Sequence, residues 1–113
     1  MTKDRETFTE FWHSYLQAHS HAGTRALHYL GTTLGLIGLA VGILMLNIWL
    51  VLGSILLAYL LAWSGHYLIE HNHPSVYGHP IWSFLCDIRM LRLWLGGRLD
   101  PELRRVRRAD RIA

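Results

Sequence analysis

The chain has 113 residues and a formal net charge of +3, and this length has room for one domain. Its one cysteine, Cys86, cannot form an internal disulfide. Its mean hydropathy is only +0.19, but no Asp, Glu, Lys or Arg occurs from Leu27 to Ile69, and all 11 basic and 8 acidic residues lie in the flanks. This division is typical of a membrane protein, and the absence of any groove-reading motif argues against a nucleic-acid partner.

The first predicted element is an amphipathic helix over residues 6–20. Its apolar side chains recur at helical spacing, and we expect the helix to lie at a membrane interface with its aromatic rings at headgroup level. His19 falls on the apolar face, whereas His13 falls on the polar face and points to water. The apolar face comprises Phe8, Phe11, Trp12, Tyr15, Leu16 and His19.

Residues 24–46 and 48–72 are predicted to form a hairpin of two membrane-spanning helices. One helical crossing needs roughly 20 apolar residues, so the uncharged stretch provides two. Asn47 is the only strongly polar residue between the spans and suits a tight turn. A buried hairpin in a soluble bundle is the alternative, which we disfavour because such a bundle normally keeps polar residues on an outer helix face.

The basic residues predict the orientation of this hairpin. Lys3, Arg5 and Arg25 precede it, eight arginines from Arg89 to Arg111 follow it, and the turn has none. We therefore expect both termini on the cytoplasmic side. Acidic residues among the first ten argue against a signal peptide.

Two histidines are arranged symmetrically about the turn. His28 and His66 lie 19 residues on either side of Asn47, so an antiparallel hairpin brings their imidazoles to the same height. Each also extends a stripe of small residues, the kind of face by which helices approach closely in lipid. The stripes are Gly31, Gly35, Gly38 and Gly42 on the first helix and Ser54, Ala58 and Ala62 on the second.

A second amphipathic helix is predicted over residues 80–96. Pro80 suits its first turn, and Gly96 and Gly97 end it. Residues 98–113 form a basic tail, either a short helix or a frayed end, whose charge indicates anionic lipid headgroups as neighbours. The predicted fold is therefore all-α: one integral membrane domain over residues 1–113, with a two-span hairpin flanked by interfacial helices.

The histidines suggest a metal site at the cytoplasmic end of the hairpin. Neutral imidazole is a good ligand for Fe, Zn, Cu and Ni, and ionisable groups at membrane depth are costly enough to suggest function. Histidines near headgroups can instead simply hydrogen-bond lipid phosphate or backbone carbonyls. The candidate ligands are His19, His28 and His66, joined by one or more of Glu70, His71, His73 and His79.

The roles of the acidic residues Glu70 and Asp87 stay open. Glu70, one turn after His66, could complete a two-histidine, one-carboxylate iron site, orient a ligand, or form a salt bridge with Arg25. Asp87 is expected to support a ligand or the fold.

The residues around these candidates form a recognisable set of motifs. They are Tyr15-x-x-x-His19, Thr24-Arg25-Ala26-Leu27-His28, Gly31-Thr32, Gly65-His66-x-x-x-Glu70-x-Asn72-x-Pro74, and Pro80-x-Trp82-Ser83 with Asp87 and Met90. Over about residues 8–98, the combination resembles the small bacterial relatives of the fungal 2-hydroxy fatty acid dioxygenase of α-oxidation.

The resemblance implies an Fe(II)-dependent enzyme of the bacterial inner membrane that removes one carbon from a 2-hydroxy fatty acid with O₂. It maps the family's histidines onto His19, His28 and His66. A 2-hydroxy acid can chelate Fe(II) through its carboxylate and hydroxyl oxygens, with its acyl tail among the hairpin side chains. Arg25 could hold the carboxylate or pair with lipid phosphate.

Two other functions stay open from the residues. His28 and His66 could be the axial ligands of a haem in an electron-carrying membrane subunit, which leaves His19 and Glu70 without a task. The stripes could instead serve only helix association in a non-catalytic scaffold. Two spans enclose little volume, so a homodimer is a further expectation.

Overall fold

The computed structural model describes residues 7–73 and 79–112. Within these ranges all regular elements are helices, which confirms the all-α prediction. They are α1 (Phe8–Gln17), α2 (Ala22–Leu44), α3 (Ile48–Ser64) continued by a π-helical turn (Gly65–Glu70), α4 (Pro80–Leu95) and α5 (Leu99–Ile112).

Helix α1 begins at a capping box and is shorter than the predicted range. The Thr7 hydroxyl accepts a hydrogen bond from the Glu10 amide, and the Glu10 carboxylate accepts one from the Thr7 amide, both at 3.1 Å. The helix ends at Gln17 with Ala18 as its C-cap, so His19 lies just beyond it. Its apolar face is buried, with Phe11, Trp12, Tyr15 and Leu16 at most 6% exposed.

Helices α2 and α3 pack along the predicted small-residue stripes. A Cβ atom at Gly38 would lie 1.8 Å from the Ser54 hydroxyl oxygen, and one at Gly42 would lie 2.9 Å from the backbone nitrogen of Val51. Side chains cannot fit at these distances, so the glycines are what allows the two backbones to approach.

The hairpin turns at Asn47, as predicted. Leu46 adopts a left-handed conformation with φ of 53°. The Asn47 side chain then caps α3 by accepting hydrogen bonds from the amides of Trp49 and Leu50 at 3.1 and 3.2 Å. The asparagine therefore both ends the loop and starts the second helix.

Both hairpin helices are long and apolar enough to cross a membrane. Ala22–Leu44 and Ile48–Glu70 each have 23 residues, with mean hydropathies of 1.7 and 1.9. Only 28% and 11% of their most apolar segments are buried, whereas the core helix of a soluble protein is mostly buried. Large side chains near the turn are open to the surroundings, including Leu46 and Trp49 at 92% and 79% exposure.

The rest of the chain forms a small core at the opposite end from the turn. Here α1 packs against α4 and α5, and the Trp12 indole donates a hydrogen bond of 2.9 Å to Glu102. The guanidinium of Arg89 lies over the same indole at 4.6 Å. Buried side chains on α4 and α5 complete this core: Cys86, Met90, Leu99, Leu103 and Val106.

Candidate metal centre

Three histidines from three different segments converge at the open end of the hairpin. His19, His28 and His66 are 0%, 4% and 1% exposed, and each offers one ring nitrogen within 4.8 Å of the other two. The Nε2 atoms of His19 and His28 are 3.0 Å apart. Among residues 7–73 and 79–112 this is the one group of three or more His, Cys, Asp or Glu side chains close enough to share an ion.

Each histidine is brought there by a separate local feature. His28 lies near the start of α2, and His66 lies in the π-helical turn that follows α3. Because the hairpin turns at Asn47, the two rings meet, with centroids 5.1 Å apart. His19 completes the group from the connection between α1 and α2, where its ring stacks on Tyr15 at 4.0 Å.

Hydrogen bonds determine which ring nitrogen of each histidine carries the proton. Nδ1 of His19 contacts the carbonyl of Tyr15, and Nδ1 of His28 contacts the carbonyl of Thr24 at 3.2 Å. Nδ1 of His66 contacts the side-chain oxygen of Asn72 at 2.7 Å. Carbonyl and amide oxygens can only accept, so each Nδ1 is a donor and each Nε2 presents a lone pair. All three lone pairs are therefore available to one ion.

This arrangement fits a bound metal. Lone pairs that face each other at 3.0 Å repel unless a cation or a proton lies between them. Burial, together with the neighbouring His28 and His66, holds the pKa of His19 well below its usual value, so this imidazole is neutral, the form that binds metals. A nitrogen-only donor set suits Fe, Zn, Cu and Ni, not Mg or Ca.

Asn72 belongs to the site, although its place in the sequence motif did not indicate a role. Its amide nitrogen donates to the Ala18 carbonyl at 3.2 Å, which leaves the amide oxygen facing His66. Asn72 follows His66 by six positions, a spacing that an α-helix does not bring to one face. The hydrogen bond forms because the chain leaves the helix through a π turn, which ends at His71 with φ of 58°.

Asp87 lies beside the histidines on α4. One of its oxygens is 4.0 Å from Nε2 of His28, and it accepts a hydrogen bond from the Tyr15 hydroxyl. Burial raises the pKa of Asp87 to about 7 and raises that of Tyr15 well above its usual value, so the tyrosine stays protonated and remains the donor. The supporting role expected from the sequence stays a prediction.

A cavity of about 280 Å³ extends from the histidines along the groove between α2 and α3. Its lining residues on α2 and α3 lie at matching distances from the Asn47 turn, as His28 and His66 do. The lining residues farthest from the histidines are Leu39 and Ile55, which are eleven positions from His28 and His66, respectively. At a rise of 1.5 Å per residue this groove is roughly 16 Å long. The polar end carries Tyr15, Ser83, Asp87 and the three histidines, and the apolar walls include Leu36, Tyr59, Ala62, Trp63 and Phe84.

Glu70 does not join the histidine group. Its two carboxylate oxygens accept hydrogen bonds from the Ser20 hydroxyl at 2.9 Å and the His21 amide at 2.7 Å. Glu70 was expected on the face of His66 from α-helical spacing, but both carboxylate oxygens are engaged by these two donors, outside the histidine group. The carboxylate instead holds the connection between α1 and α2.

Arg25 supports the same connection. Its guanidinium donates to the carbonyls of His19 and Ser20 at 2.8 and 2.9 Å. It lines a different crevice, beside Tyr29 and Trp94, and is not among the residues lining the histidine cavity.

The three remaining ligand candidates, His71, His73 and His79, lie outside the histidine group. His71 is exposed in its left-handed conformation after the π turn, and His73 is exposed two positions later. His79 precedes α4, where its ring stacks on Trp82 at 4.5 Å and meets the edge of Phe11 at 5.2 Å. None of the three belongs to the group that could share an ion.

Comparison with known proteins identifies one family. A family model described as 2-hydroxy-palmitic acid dioxygenase Mpo1-like matches residues 5–99. No curated protein and no solved structure gives a significant match. The matched range contains the three histidines, Asn72, Asp87 and the whole groove.

Proposed function

Because the chain belongs to the Mpo1-like family, described as 2-hydroxy-palmitic acid dioxygenases, we propose that it is an iron-dependent membrane dioxygenase that shortens 2-hydroxy fatty acids by one carbon. The observation that carries this proposal is the convergence of three buried Nε2 atoms at the end of an apolar groove. The site therefore combines a metal-binding end with space for an acyl chain.

The proposed ligands are His19, His28 and His66. Iron is favoured over zinc because a dioxygenase needs a metal that changes oxidation state, which zinc does not. When bound, iron would supply the activation of O₂ that oxidative cleavage between C1 and C2 requires. The contribution of the chain is to keep the three imidazoles neutral and to direct their lone pairs inward.

The groove supports a long straight acyl chain as the rest of the substrate. An extended alkyl chain with C–C bonds of about 1.5 Å advances about 1.3 Å per carbon, so roughly 16 Å of groove holds about 12 carbons. Within a bilayer the gain comes from packing of the tail against the groove walls rather than from leaving water. The acid group of such a molecule would lie at the histidines while its tail fills the groove.

Asp87 and Tyr15 are the polar groups best situated to orient the reacting end. The carboxylate of Asp87 is held by the Tyr15 hydroxyl, which leaves its second oxygen for another donor. We propose that it accepts a hydrogen bond from the 2-hydroxyl group of the substrate. Glu70 and Arg25 act at a distance by holding the segment that carries His19.

We further propose that the hairpin lies in the bacterial inner membrane, with both termini and the site on the cytoplasmic side. The exposed apolar surface of both long helices supports insertion. The positive-inside rule supports the orientation, because Arg25 and the arginines of α4 and α5 flank the histidine end while the turn has no basic residue. A lipid substrate could then enter the groove without leaving the bilayer.

The deciding experiment is elemental analysis of the purified protein together with its absorption spectrum and its oxygen consumption. We expect about one iron per chain, as one three-histidine site implies, no Soret band, and O₂ uptake with 2-hydroxypalmitate. His66→Ala should lose the iron, and His13→Ala, whose side chain lies beside Asp110 and outside the histidine group, should keep it. A metal-free protein in which His28 and His66 can each be replaced without loss of O₂ uptake contradicts the proposal.

The haem alternative fits this geometry less well. Two axial histidines must leave the space between them to a porphyrin. Here the His19 ring lies 4.3 and 4.5 Å from the rings of His28 and His66 and occupies that space. A Soret band in the purified protein would favour haem all the same.

A further inference from the structure

Helix α5 presents two different faces. Leu99, Leu103 and Val106 are 3–4% exposed and pack into the core with α1. On another side four arginines are exposed at the spacing i, i+3, i+4 and i+7, which places them on one helix face. We call Arg104, Arg107, Arg108 and Arg111 the arginine face.

Two of the acidic residues on α5 are engaged elsewhere. Glu102 accepts hydrogen bonds from Trp12 at 2.9 Å and from Arg105 at 3.1 Å. Asp110 accepts one from Gln17 at 2.7 Å and lies 3.5 Å from His13. These carboxylates join α5 to α1, so they do not neutralise the arginine face.

The arginine face therefore keeps its charge. Among residues 7–73 and 79–112 no ion pair or hydrogen bond is recorded for its four side chains, whereas Arg105 pairs with Glu102. Asp100, one turn before Arg104, is the remaining acidic residue of α5. Four like charges on one face repel one another, which favours a partner of opposite charge.

The position of α5 indicates what this partner is. Asp100 and Leu103 line a crevice against α2 together with Tyr29, Leu30 and Thr33. The side of α5 next to the arginine face therefore lies beside the exposed apolar surface of the hairpin, where Leu30 is 49% exposed. Apolar side chains beside a row of cations match the boundary between hydrocarbon and headgroups.

We propose that the arginine face of α5 binds the anionic phospholipid headgroups of the bilayer that holds the hairpin. This inference rests on the proposed membrane insertion but not on the iron or the reaction. A membrane fits better than an acidic protein or a nucleic acid because the hairpin would hold α5 at its surface continuously. Each arginine near an anionic surface contributes about a fivefold preference.

The test is hydrogen exchange of the full-length protein in lipid nanodiscs of phosphatidylcholine, with and without phosphatidylglycerol. We expect the amides of α5 to exchange at least about fivefold more slowly in the anionic discs. The difference should vanish in ~1 M salt, where the Debye length is about 3 Å. It should also vanish when all four arginines are replaced by Gln and persist when all four are replaced by Lys.

Matched variants separate this inference from the proposed function. Arg108→Gln should reduce the lipid effect more than Arg105→Gln, because Arg105 already pairs with Glu102. The fourfold Gln variant should retain iron and O₂ uptake. Equal exchange of α5 in both lipids, with α2 and α3 protected in both, overturns the lipid contact alone. Rapid exchange of α2 and α3 in both lipids overturns the membrane hairpin, and the lipid contact with it.

Discussion

Nε2 of His19 and Nε2 of His28 face each other at 3.0 Å while both Nδ1 atoms donate to backbone carbonyls. Two acceptors at this distance destabilise the fold when nothing lies between them. A cation bound there removes the repulsion and joins the end of α1 to the start of α2. The site is therefore expected to matter for stability as well as for chemistry.

Removing the metal should accordingly lower the melting temperature. A ligand at 100 times its dissociation constant stabilises the folded state by about 2.7 kcal/mol, and we expect a loss of that order when a chelator strips the iron. Thermal unfolding with and without added Fe(II) under anaerobic conditions measures it. The His66→Ala variant serves as the control, since its melting temperature should not respond to iron. An unchanged wild-type melting temperature would contradict a metal at this site.

Replacing Asn72 with Ala should weaken metal binding without removing a ligand. Asn72 accepts the Nδ1 proton of His66 at 2.7 Å and so holds the ring in its metal-binding form. Losing such a partner typically lowers metal affinity by about 10- to 100-fold, and we expect a loss of about that order for this variant. Competition with a chelator of known affinity would measure the change. The exposed neighbour His71 offers a matched control, because His71→Ala should leave the affinity as it is.

Replacing Gly38 with Ala should destabilise the hairpin. The new Cβ would lie 1.8 Å from the Ser54 hydroxyl oxygen, and overpacking of this kind costs about 1–3 kcal/mol. Gly53, on α3, is the matched control: a Cβ there meets no atom within 4 Å, and Ala improves helix propensity by about 1 kcal/mol. Unfolding in detergent should rank Gly53→Ala above wild type and Gly38→Ala below it. The reverse order would refute this account of the packing.

Leu39 should set the longest acyl chain that the groove accepts. A larger side chain, as in Leu39→Phe, shortens the groove from its floor, and forcing the end of a long acyl chain against the new ring costs about 1–3 kcal/mol, or about 5- to 150-fold in kcat/KM. We expect the chain-length profile for 2-hydroxy acids to move toward shorter chains while iron content stays constant. Leu44→Phe, at an 84% exposed site beyond the groove, should leave the profile unmoved. A uniform loss over all chain lengths would argue against a floor at Leu39.

The sequence predicted the convergence of the three histidines better than it predicted their surroundings. His28 and His66 were paired by counting from Asn47, an argument that holds because both helices are regular from the turn to the site. His19 was selected by its place on the apolar face of α1, although the helix ends before it. The role of Asn72 could not be read from α-helical spacing, because its contact with His66 forms where the chain leaves the helix. The position of the Glu70 carboxylate depends on donors in the connection between α1 and α2, which lie 49 and 50 positions away in the sequence.

Arg25 shows a different limit of sequence reasoning. Its proximity to His28 suggested contact with a substrate carboxylate, but the guanidinium turns toward the carbonyls of His19 and Ser20. Unpaired carbonyls after a short helix attract a nearby donor. Which of several nearby partners a long, flexible side chain chooses depends on tertiary packing, which spacing along the chain does not encode.

The tight turn at Asn47 makes the histidine site sensitive to chain length at a point far from it. Nineteen residues of helix separate the turn from His28 and from His66, roughly 28 Å. One residue inserted after Asn47 would advance α3 by about 1.5 Å and rotate it by about 100°, turning His66 away from its partners. Insertions into the hairpin are therefore compatible with the site only where they lengthen both helices equally and by about a whole number of helical turns.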